Sequence, residues 1–172
     1  SDREGMMLLE LFAGSRSMGK AAEELGMRVH SSDWTPYEGI DTVGNLLHIP
    51  VEFWVAMKPD IIHASPPCTA FSVASIGHHW KGGRRGYEPK STGAFMGLAL
   101  MHRTLEIIEA CSPKVWFVEN PRGLMRKMEA MEALPIRHTV TYCQYGDRRM
   151  KPTDIWTCLL YTSPSPRDRQ KS

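Results

Sequence analysis

The sequence predicts an α/β protein with a doubly wound, mostly parallel sheet. Short and continuous apolar runs, typical of strands that are covered on both faces, recur along the chain. Stretches with helical spacing separate these runs, and such alternation is typical of parallel sheets. The 172 residues, without internal repeats, suit one domain with a substantial core.

The first half of the chain contains three predicted strands: residues 6–12, 27–32 and 60–64. Residues 13–19 are small and predict a tight turn after the first strand. Residues 20–25 are good helix formers that stop at Gly26, and residues 53–58 predict a second, short helix.

The second half begins with residues 75–93, which are rich in glycine, histidine and basic residues and predict a long loop. Apolar residues at helical spacing then predict a helix over residues 95–110. The remaining predicted elements are a strand at 114–119, a helix at 124–134, and a closing pair of strands at 138–144 and 154–161.

Composition excludes several classes of protein. A hydrophobic content of 42% and a charged content of 23% are those of an ordinary globular protein. The sequence has neither an apolar span of membrane length nor a signal-peptide pattern, so we expect a cytoplasmic protein that contacts no membrane. The four cysteines are scattered without metal-ligand spacing, which indicates free thiols and no bound metal.

The net charge of +2 does not by itself indicate a nucleic-acid-binding protein. Basic residues are nevertheless concentrated in two segments, residues 81–90 and 148–151, which favours local basic surfaces. A solvated basic loop is the alternative interpretation of the first segment.

The last fifteen residues depart from the pattern. The string Cys-Leu-Leu-Tyr-Thr-Ser-Pro-Ser-Pro-Arg-Asp, which starts at Cys158, resembles a translated sequencing adapter. We therefore expect one domain over residues 1–157, followed by a non-native tail over residues 158–172. A genuine Ser/Pro-rich linker is the alternative.

Chemistry-bearing residues follow three of the predicted strands. After the first strand, a turn of small residues at 13–19 would let the backbone approach a ligand, with helix N–H groups behind it. A purely structural turn is equally compatible with this pattern. Asp33 ends the second strand, where such folds place an acid on a ribose diol, although a cap or turn residue is the alternative.

The third strand leads into Pro66-Pro67-Cys68, in which two prolines hold the backbone rigidly and display a thiol beyond the strand end. A thiolate adds well to an electron-poor carbon. A lone cysteine is more often an inert buried residue, which is our interpretation of Cys111 and Cys143.

Glu119 closes the very apolar strand at residues 114–119. A carboxyl that is partly desolvated there tends toward a raised pKa and can donate a proton. The alternative is a helix cap made by Glu119 or Asn120.

Together these segments resemble the DNA cytosine-5 methyltransferase family, in particular its compact phage-type members. The motifs that carry the resemblance are the methyl-donor motif at residues 11–14, the cysteine motif at 65–72, the glutamate motif at 117–121 and the basic strand motif at 145–151. The resemblance implies a Rossmann-like fold of the S-adenosylmethionine-dependent methyltransferase type.

It also implies a mechanism, in which Cys68 adds to C6 of a cytosine while Glu119 binds or protonates N3. C5 then takes the methyl group of S-adenosylmethionine. Because C6 is unreachable within double-stranded DNA, the base must be flipped out. We expect a monomer in a bacterial or phage-infected cell.

The resemblance assigns further residues to three groups. Basic residues of the active site would be Arg149 and Lys151. Contacts to the cofactor would come from Phe12, Ala13, Gly14, Ser15, Ser17, Asp33, Trp34, Asn45 and Pro66. Contacts to DNA would come from Ser72, Lys81, Arg84 and Arg85.

The sequence departs from the family pattern in several places. Pro121 stands where valine is usual, Asn45 stands where an aspartate commonly meets the adenine, and the Gln-x-Arg-x-Arg pattern is absent in strict form. The recognition region and the final helix of the family are also missing, so we expect an incomplete cofactor pocket and little or no methylation by the chain itself.

Three other functions are compatible with the sequence. The first is an inactive nucleic-acid-binding module with a methyltransferase-like fold, although retention of both Cys68 and Glu119 disfavours it. The second is methylation of exocyclic amines, which uses an aromatic residue where this chain has Cys68. The third is methylation of cytosine in RNA.

Overall fold

The structure is a computed structural model that describes residues 5–83, 86–143 and 150–158. The strands are β1 Met7–Leu11, β2 Arg28–Asp33, β3 Thr42–Val43, β4 Ile61–Ala64, β5 Trp80–Gly83, β6 Gly86–Pro89, β7 Val115–Pro121, β8 Arg137–Cys143 and β9 Met150–Thr157. The α-helices are α1 Ser17–Glu24, α2 Val51–Val55, α3 Ile76–His79, α4 Thr92–Cys111 and α5 Glu129–Glu132. Short 3-10 turns cover Leu46–His48, Thr69–Phe71, Val73–Ser75 and Leu124–Lys127.

Seven strands form one sheet in the order β3-β2-β1-β4-β7-β9-β8. The first five are parallel, whereas β9 runs antiparallel to both β7 and β8. From β1 the chain adds β2 and β3 on one side, and it then crosses back to add β4 and β7 on the other side of β1. Ligands bind at such a reversal, beyond the carboxyl ends of the strands. The predicted doubly wound α/β fold is therefore confirmed.

The core lies between the sheet and the helices that cover it. Leu9, Leu11 and Ile62 are fully buried in the central strands, as expected for strands covered on both faces. The longest helix, α4, begins where the Ser91 side chain accepts the Ala94 N–H, and it contributes several fully buried residues to the core.

The predicted long loop at residues 75–93 is wrong. This segment forms α3 and then an antiparallel hairpin of β5 and β6. Trp80 anchors the hairpin, because its ring is buried against Phe71 and its indole N–H donates to the Ala70 carbonyl at 2.6 Å. Gly82 has a φ of +97°, a conformation that glycine adopts easily. Glycines that suggested a loop thus lie in an antiparallel pair of strands.

Other predicted boundaries differ by a few residues. Helix α1 begins at Ser17, inside the predicted turn, and α2 begins at Val51. The single helix predicted over residues 124–134 is divided into a 3-10 turn and α5, because Met128 between them is extended. The closing strand pair is confirmed, although β9 begins at Met150.

Strand β9 ends at Thr157, the last residue of the predicted domain. The assignment of residues 158–172 as a tail stays a prediction, since 159–172 lie outside the described residues. Among the helices that are described, none has the length and apolar character needed to cross a membrane.

Candidate active site

The turn after β1 has an unusual backbone. Phe12, Gly14 and Arg16 all have left-handed conformations, with φ values of 56°, 53° and 62°. The turn is bonded to the end of β2, because the Ala13 N–H donates to the Ser32 carbonyl at 2.9 Å. Left-handed backbone at a residue other than glycine costs about 1–3 kcal/mol and is concentrated at functional sites.

Asp33 holds this turn through its carboxylate. One oxygen accepts the Gly14 N–H at 2.9 Å and the other accepts the Thr35 N–H at 2.9 Å. The side chain is buried, whereas the neighbouring Trp34 is half exposed. In this structure Asp33 therefore makes the turn contacts that were the alternative to a sugar-binding role.

Glu10 was not predicted as a site residue. Its carboxylate is buried beneath α1, where one oxygen accepts the Gly19 N–H at 3.1 Å and the other accepts the Ser31 hydroxyl at 3.0 Å. The available signal was a charged residue inside an otherwise apolar strand. Such a residue requires partners if it is to be buried.

A cavity of about 390 Å³ opens above these groups, at the carboxyl ends of β1, β4 and β7. Three predicted cofactor residues, Phe12, Ala13 and Ser17, line it. The other residues that line it are Glu10, Met18, His63, Ser65 and Glu119. Carboxylates on two strands, β1 and β7, thus line one space of the size that ligands occupy.

The remaining predicted cofactor residues lie elsewhere. Gly14, Ser15, Asp33 and Trp34 are outside the lining of this cavity, as is Asn45. The Asn45 side chain accepts the Leu47 N–H at 2.9 Å and so caps a 3-10 turn. Pro66 lines a second cavity.

The second cavity has a volume of about 340 Å³ and contains the thiol. Cys68 is exposed there, at the start of the 3-10 turn Thr69–Phe71. The residues that line this cavity are Ser65, Pro66, Pro67, Cys68, Glu119, Asn120, Pro121 and Thr153. The structure therefore brings Cys68 and Glu119 to one space, and Ser65 and Glu119 line both cavities.

Two contacts join the thiol loop to the end of β7. Asn120 is buried, and its side-chain amide donates to the Pro66 carbonyl at 3.0 Å. Gly123 approaches the backbone of Phe71 so closely that a Cβ at Gly123 would lie 2.4 Å from the Phe71 oxygen. These contacts set the distance between the thiol loop and the glutamate strand.

Glu119 is paired with a buried histidine. Its Oε2 atom lies 2.7 Å from Nε2 of His63, a residue of β4. Sequence reasoning assigned no role to His63, because the pairing depends on β4 and β7 being neighbours. The signal in the sequence was again a titratable residue in an apolar strand.

Behind the second cavity, β9 is held by a buried ion pair. Arg126 donates to both carboxylate oxygens of Asp154, at 2.6 and 2.9 Å, and the Thr139 hydroxyl donates at 2.8 Å. Burial by itself would raise the pKa of the Asp154 carboxyl. The hydrogen bonds from Arg126 and Thr139, with the positive charge of Arg126, outweigh burial and hold that pKa below its usual range.

The sequence matches the model of one protein family over more than half of its length. The family model for C-5 cytosine-specific DNA methylase matches residues 48–169. The chain belongs to this family. That result confirms the resemblance found in the sequence, and the matched residues include the cysteine, glutamate and basic motifs.

Two relatives of this methylase-family chain are each about one third identical to it. The probable DNA (cytosine-5)-methyltransferase of Frog virus 3 is 32% identical over 157 residues, which are 88% of this chain and 70% of the viral protein. The type II methyltransferase M.HpaII of Haemophilus parainfluenzae is 32% identical over 131 residues, which are 71% of this chain and 33% of that enzyme. The chain thus spans only part of each relative.

Solved structures support the fold. The Entamoeba histolytica methyltransferase EhMeth superposes with a TM-score of 0.63 at 12% identity, over 92% of this chain and 54% of that one. A SAM-dependent methyltransferase from Agrobacterium tumefaciens gives a TM-score of 0.50 at 17% identity, over 90% of this chain and 58% of that one. The Rossmann-like fold of the methyltransferase type is therefore confirmed.

The predicted DNA contacts and basic active-site residues of this family member are only partly described. Ser72 is exposed, and Lys81 is exposed on the hairpin, where it lies 3.4 Å from Glu88 across the strands. Lys151 is exposed on β9. Arg84, Arg85 and Arg149 lie outside the described residues.

Of the other predicted free thiols, Cys111 and Cys158 lie outside both cavities, and the described residues contain no metal-binding group. Cys111 is half-buried, and burial raises the pKa of its thiol. The side chain of Cys143 lies outside the described part of the chain. Across the described residues, no three His, Cys, Asp or Glu side chains are grouped so that they could hold a metal ion.

Proposed function

We propose that this chain carries the catalytic and methyl-donor-binding part, residues 1–157, of a DNA cytosine-5 methyltransferase. The observation that carries the proposal is the wall shared by the two cavities. Ser65 and Glu119 line both, while the turn after β1 lines only the first and Cys68 lines only the second. A methyl donor and a base could therefore occupy adjacent spaces.

The first cavity suits S-adenosylmethionine. The donor carries an ammonium and a sulfonium, and Glu10 and Glu119 place carboxylates around this space. Phe12, Ala13 and Ser17 would hold the cofactor there, and Asp33 would keep the turn in place. When bound, the cofactor supplies an electrophilic methyl group. Gly14, Ser15, Trp34, Asn45 and Pro66 stay predicted contacts.

The second cavity suits a cytosine that has left the DNA stack. The Cys68 thiolate would form a bond to C6, and the electron pair of the C5–C6 double bond would move toward N3. Glu119 would hold or supply the proton at N3 that makes this addition feasible. The electron pair would return from N3 through C5 to the methyl group, and the N3 proton would return to Glu119. A water molecule would then take the C5 proton, and the electron pair of that C–H bond would re-form the C5–C6 double bond and expel Cys68 as its thiolate.

The described basic and polar residues of the DNA side keep their proposed roles. Lys81 and Ser72 would contact the phosphate backbone near the flipped base, with Arg84 and Arg85. Lys151, with Arg149, would lie near the reacting base. Flipping costs a few kcal/mol of unstacking, which backbone contacts would offset.

The test traps the covalent intermediate. The chain is incubated with S-adenosylmethionine and a short single-stranded DNA that contains 5-fluorocytosine, and the mass of the intact protein is measured. Fluorine at C5 blocks the final proton loss, so the adduct accumulates. A single-stranded substrate removes the cost of flipping a base from a duplex, and a high concentration of that substrate offsets weak DNA affinity.

We expect an adduct that maps to Cys68 and forms slowly, because trapping accumulates even the little methyl transfer that an incomplete cofactor pocket supports. We expect Cys68→Ser to abolish it while cofactor binding is retained. Cys158→Ser is the matched control, since Cys158 is also an exposed free thiol but lies outside both cavities. A folded chain that binds the cofactor and forms no adduct would contradict the proposal. A faster adduct with 5-fluorocytidine RNA would assign the same chemistry to RNA instead.

A further inference from the structure

We propose that His63 is a positioning residue for the reaction, which holds the carboxyl of Glu119 in the orientation needed at the second cavity. The inference rests on the proposed function, because it gives Glu119 a part in that chemistry. It adds a residue to which sequence reasoning assigned no role.

The sheet places the two residues together. His63 pairs in register with Glu10 of β1 on one side and with Phe117 of β7 on the other. Paired residues of parallel strands point to the same face, and Glu119 is two residues beyond Phe117, so it shares that face. Glu10, His63 and Glu119 consequently all line the first cavity.

The contact between the two is close and sheltered. Nε2 of His63 lies 2.7 Å from Oε2 of Glu119, and the His63 side chain is only 7% exposed. At that distance one proton lies between the two groups, whichever of them carries it. A buried imidazole requires such a partner, and this one is the carboxyl that both cavities share.

The pairing reduces the freedom of Glu119. A glutamate side chain has three rotatable bonds, and its carboxyl lies here at the mouth of a cavity with 25% of the side chain exposed. The hydrogen bond with a rigid, buried ring restricts the rotamers that the carboxyl can adopt before the base arrives. Preorganisation of this kind lowers the barrier of the chemical step more than it strengthens binding.

The first test compares two substitutions at His63. His63→Phe keeps a ring but removes the polar atoms, and we expect adduct formation at saturating cofactor to slow by roughly 10- to 100-fold. His63→Gln restores an N–H at a similar reach, and we expect it to recover most of the rate. Cofactor affinity should change less than the rate in both variants.

His30→Gln is the matched control. His30 lies on β2, which β1 separates from β4 in the parallel part of the sheet, and its Nε2 atom is 2.7 Å from the Thr42 hydroxyl, so it is also a hydrogen-bonded imidazole in the sheet. It lines neither cavity. We expect this variant to form the adduct at the unmodified rate.

A double-mutant cycle decides whether His63 acts through Glu119. Glu119→Gln by itself should slow adduct formation by orders of magnitude. His63→Phe added to that variant should then change the rate by less than about twofold, because the group that it positions has gone. An equal loss in both backgrounds, or full activity of His63→Phe, would overturn the proposal.

A spectroscopic measurement separates this proposal from the proposed function. The ring-nitrogen NMR signals of ¹⁵N-histidine-labelled chain should shift at His63 in Glu119→Gln and stay unchanged in Cys68→Ser. If the unmodified chain formed no adduct, the proposed function would fail, and these signals would still show whether His63 holds Glu119. If the His63 signals did not shift in Glu119→Gln, the inference would be overturned without any activity assay.

Discussion

Gly123→Ala should separate the thiol loop from the glutamate strand. Gly123 follows β7, and its backbone is extended, with a φ of −175°, so alanine is compatible with its conformation. The obstacle is steric, because the new Cβ would lie 2.4 Å from the carbonyl oxygen of Phe71. Phe71 is buried and belongs to the turn that begins at Cys68.

The size of the effect follows from that distance. Ordinary contact begins at 3.4 Å, so the two backbone segments must move apart by about 1 Å. Overpacking of this kind costs about 1–3 kcal/mol. Replacing glycine also restricts the unfolded chain, which returns up to about 1 kcal/mol. We expect the free energy of unfolding to fall by about 1–2 kcal/mol.

Urea denaturation measures this loss, with Gly77→Ala as the matched control. Gly77 lies in α3, in the same part of the chain, and no atom is within 4 Å of a Cβ at that position. The control should keep its stability or gain up to about 1 kcal/mol, because alanine is favoured over glycine in a helix. In the trapping assay Gly123→Ala should form the adduct about 100-fold more slowly, because a shift of 1 Å misplaces Cys68 against Glu119.

Equal stability of the two alanine variants, together with unchanged adduct formation, would refute the reasoning. It would mean that the contact between Gly123 and Phe71 can relax without moving the thiol. A loss of stability with an unchanged rate would show that the contact serves the fold and not the site.

Three further predictions concern the charges and thiols. Asp154→Asn should lower the free energy of unfolding by up to about 3 kcal/mol in urea, because it leaves a guanidinium unpaired. Since the folded pKa of Asp154 lies below its ordinary value, its contribution to stability is present at neutral pH and lost as the pH falls through that folded pKa; Asp154→Asn should lack this loss. Asp33→Asn should weaken S-adenosylmethionine binding about tenfold by calorimetry, because an amide replaces one of two accepting oxygens; an unchanged affinity would contradict this. At pH 7.5, chosen as about one unit below an ordinary thiol pKa, iodoacetamide should alkylate Cys68 before Cys111, as peptide mapping would show, because Cys68 is exposed and burial raises the pKa of Cys111.

Much of the fold could be predicted because it follows from local patterns. Apolar runs identified β1, β4 and β7, since strands that are covered on both faces leave that signature. The hairpin of β5 and β6 was missed for a tertiary reason. Its stability depends on the burial of Trp80 against Phe71, and the local sequence of glycines and charges contains no sign of that contact.

The residues of the candidate site likewise divide into those that local patterns predict and those that depend on tertiary contacts. Cys68 and Glu119 could be proposed because each follows an apolar strand, and parallel strands end at one edge of the sheet. The partnership of His63 with Glu119, and the support that Glu10 gives to α1, depend on which strands are neighbours and on their register. Neither contact can be deduced from the order of residues in the sequence.

The antiparallel position of β9 has a consequence for folding during synthesis. Among the described strands of the sheet, β9 is the last to be synthesised, yet it lies between β7 and β8, and its residue Thr153 forms part of the wall beside Cys68. Before β9 has left the ribosome, the edge of β7 that will pair with it is open. Under the proposed function, the nascent chain carries Cys68 before Thr153 completes the wall of the proposed base cavity, and insertion of β9 also covers the open edge of β7.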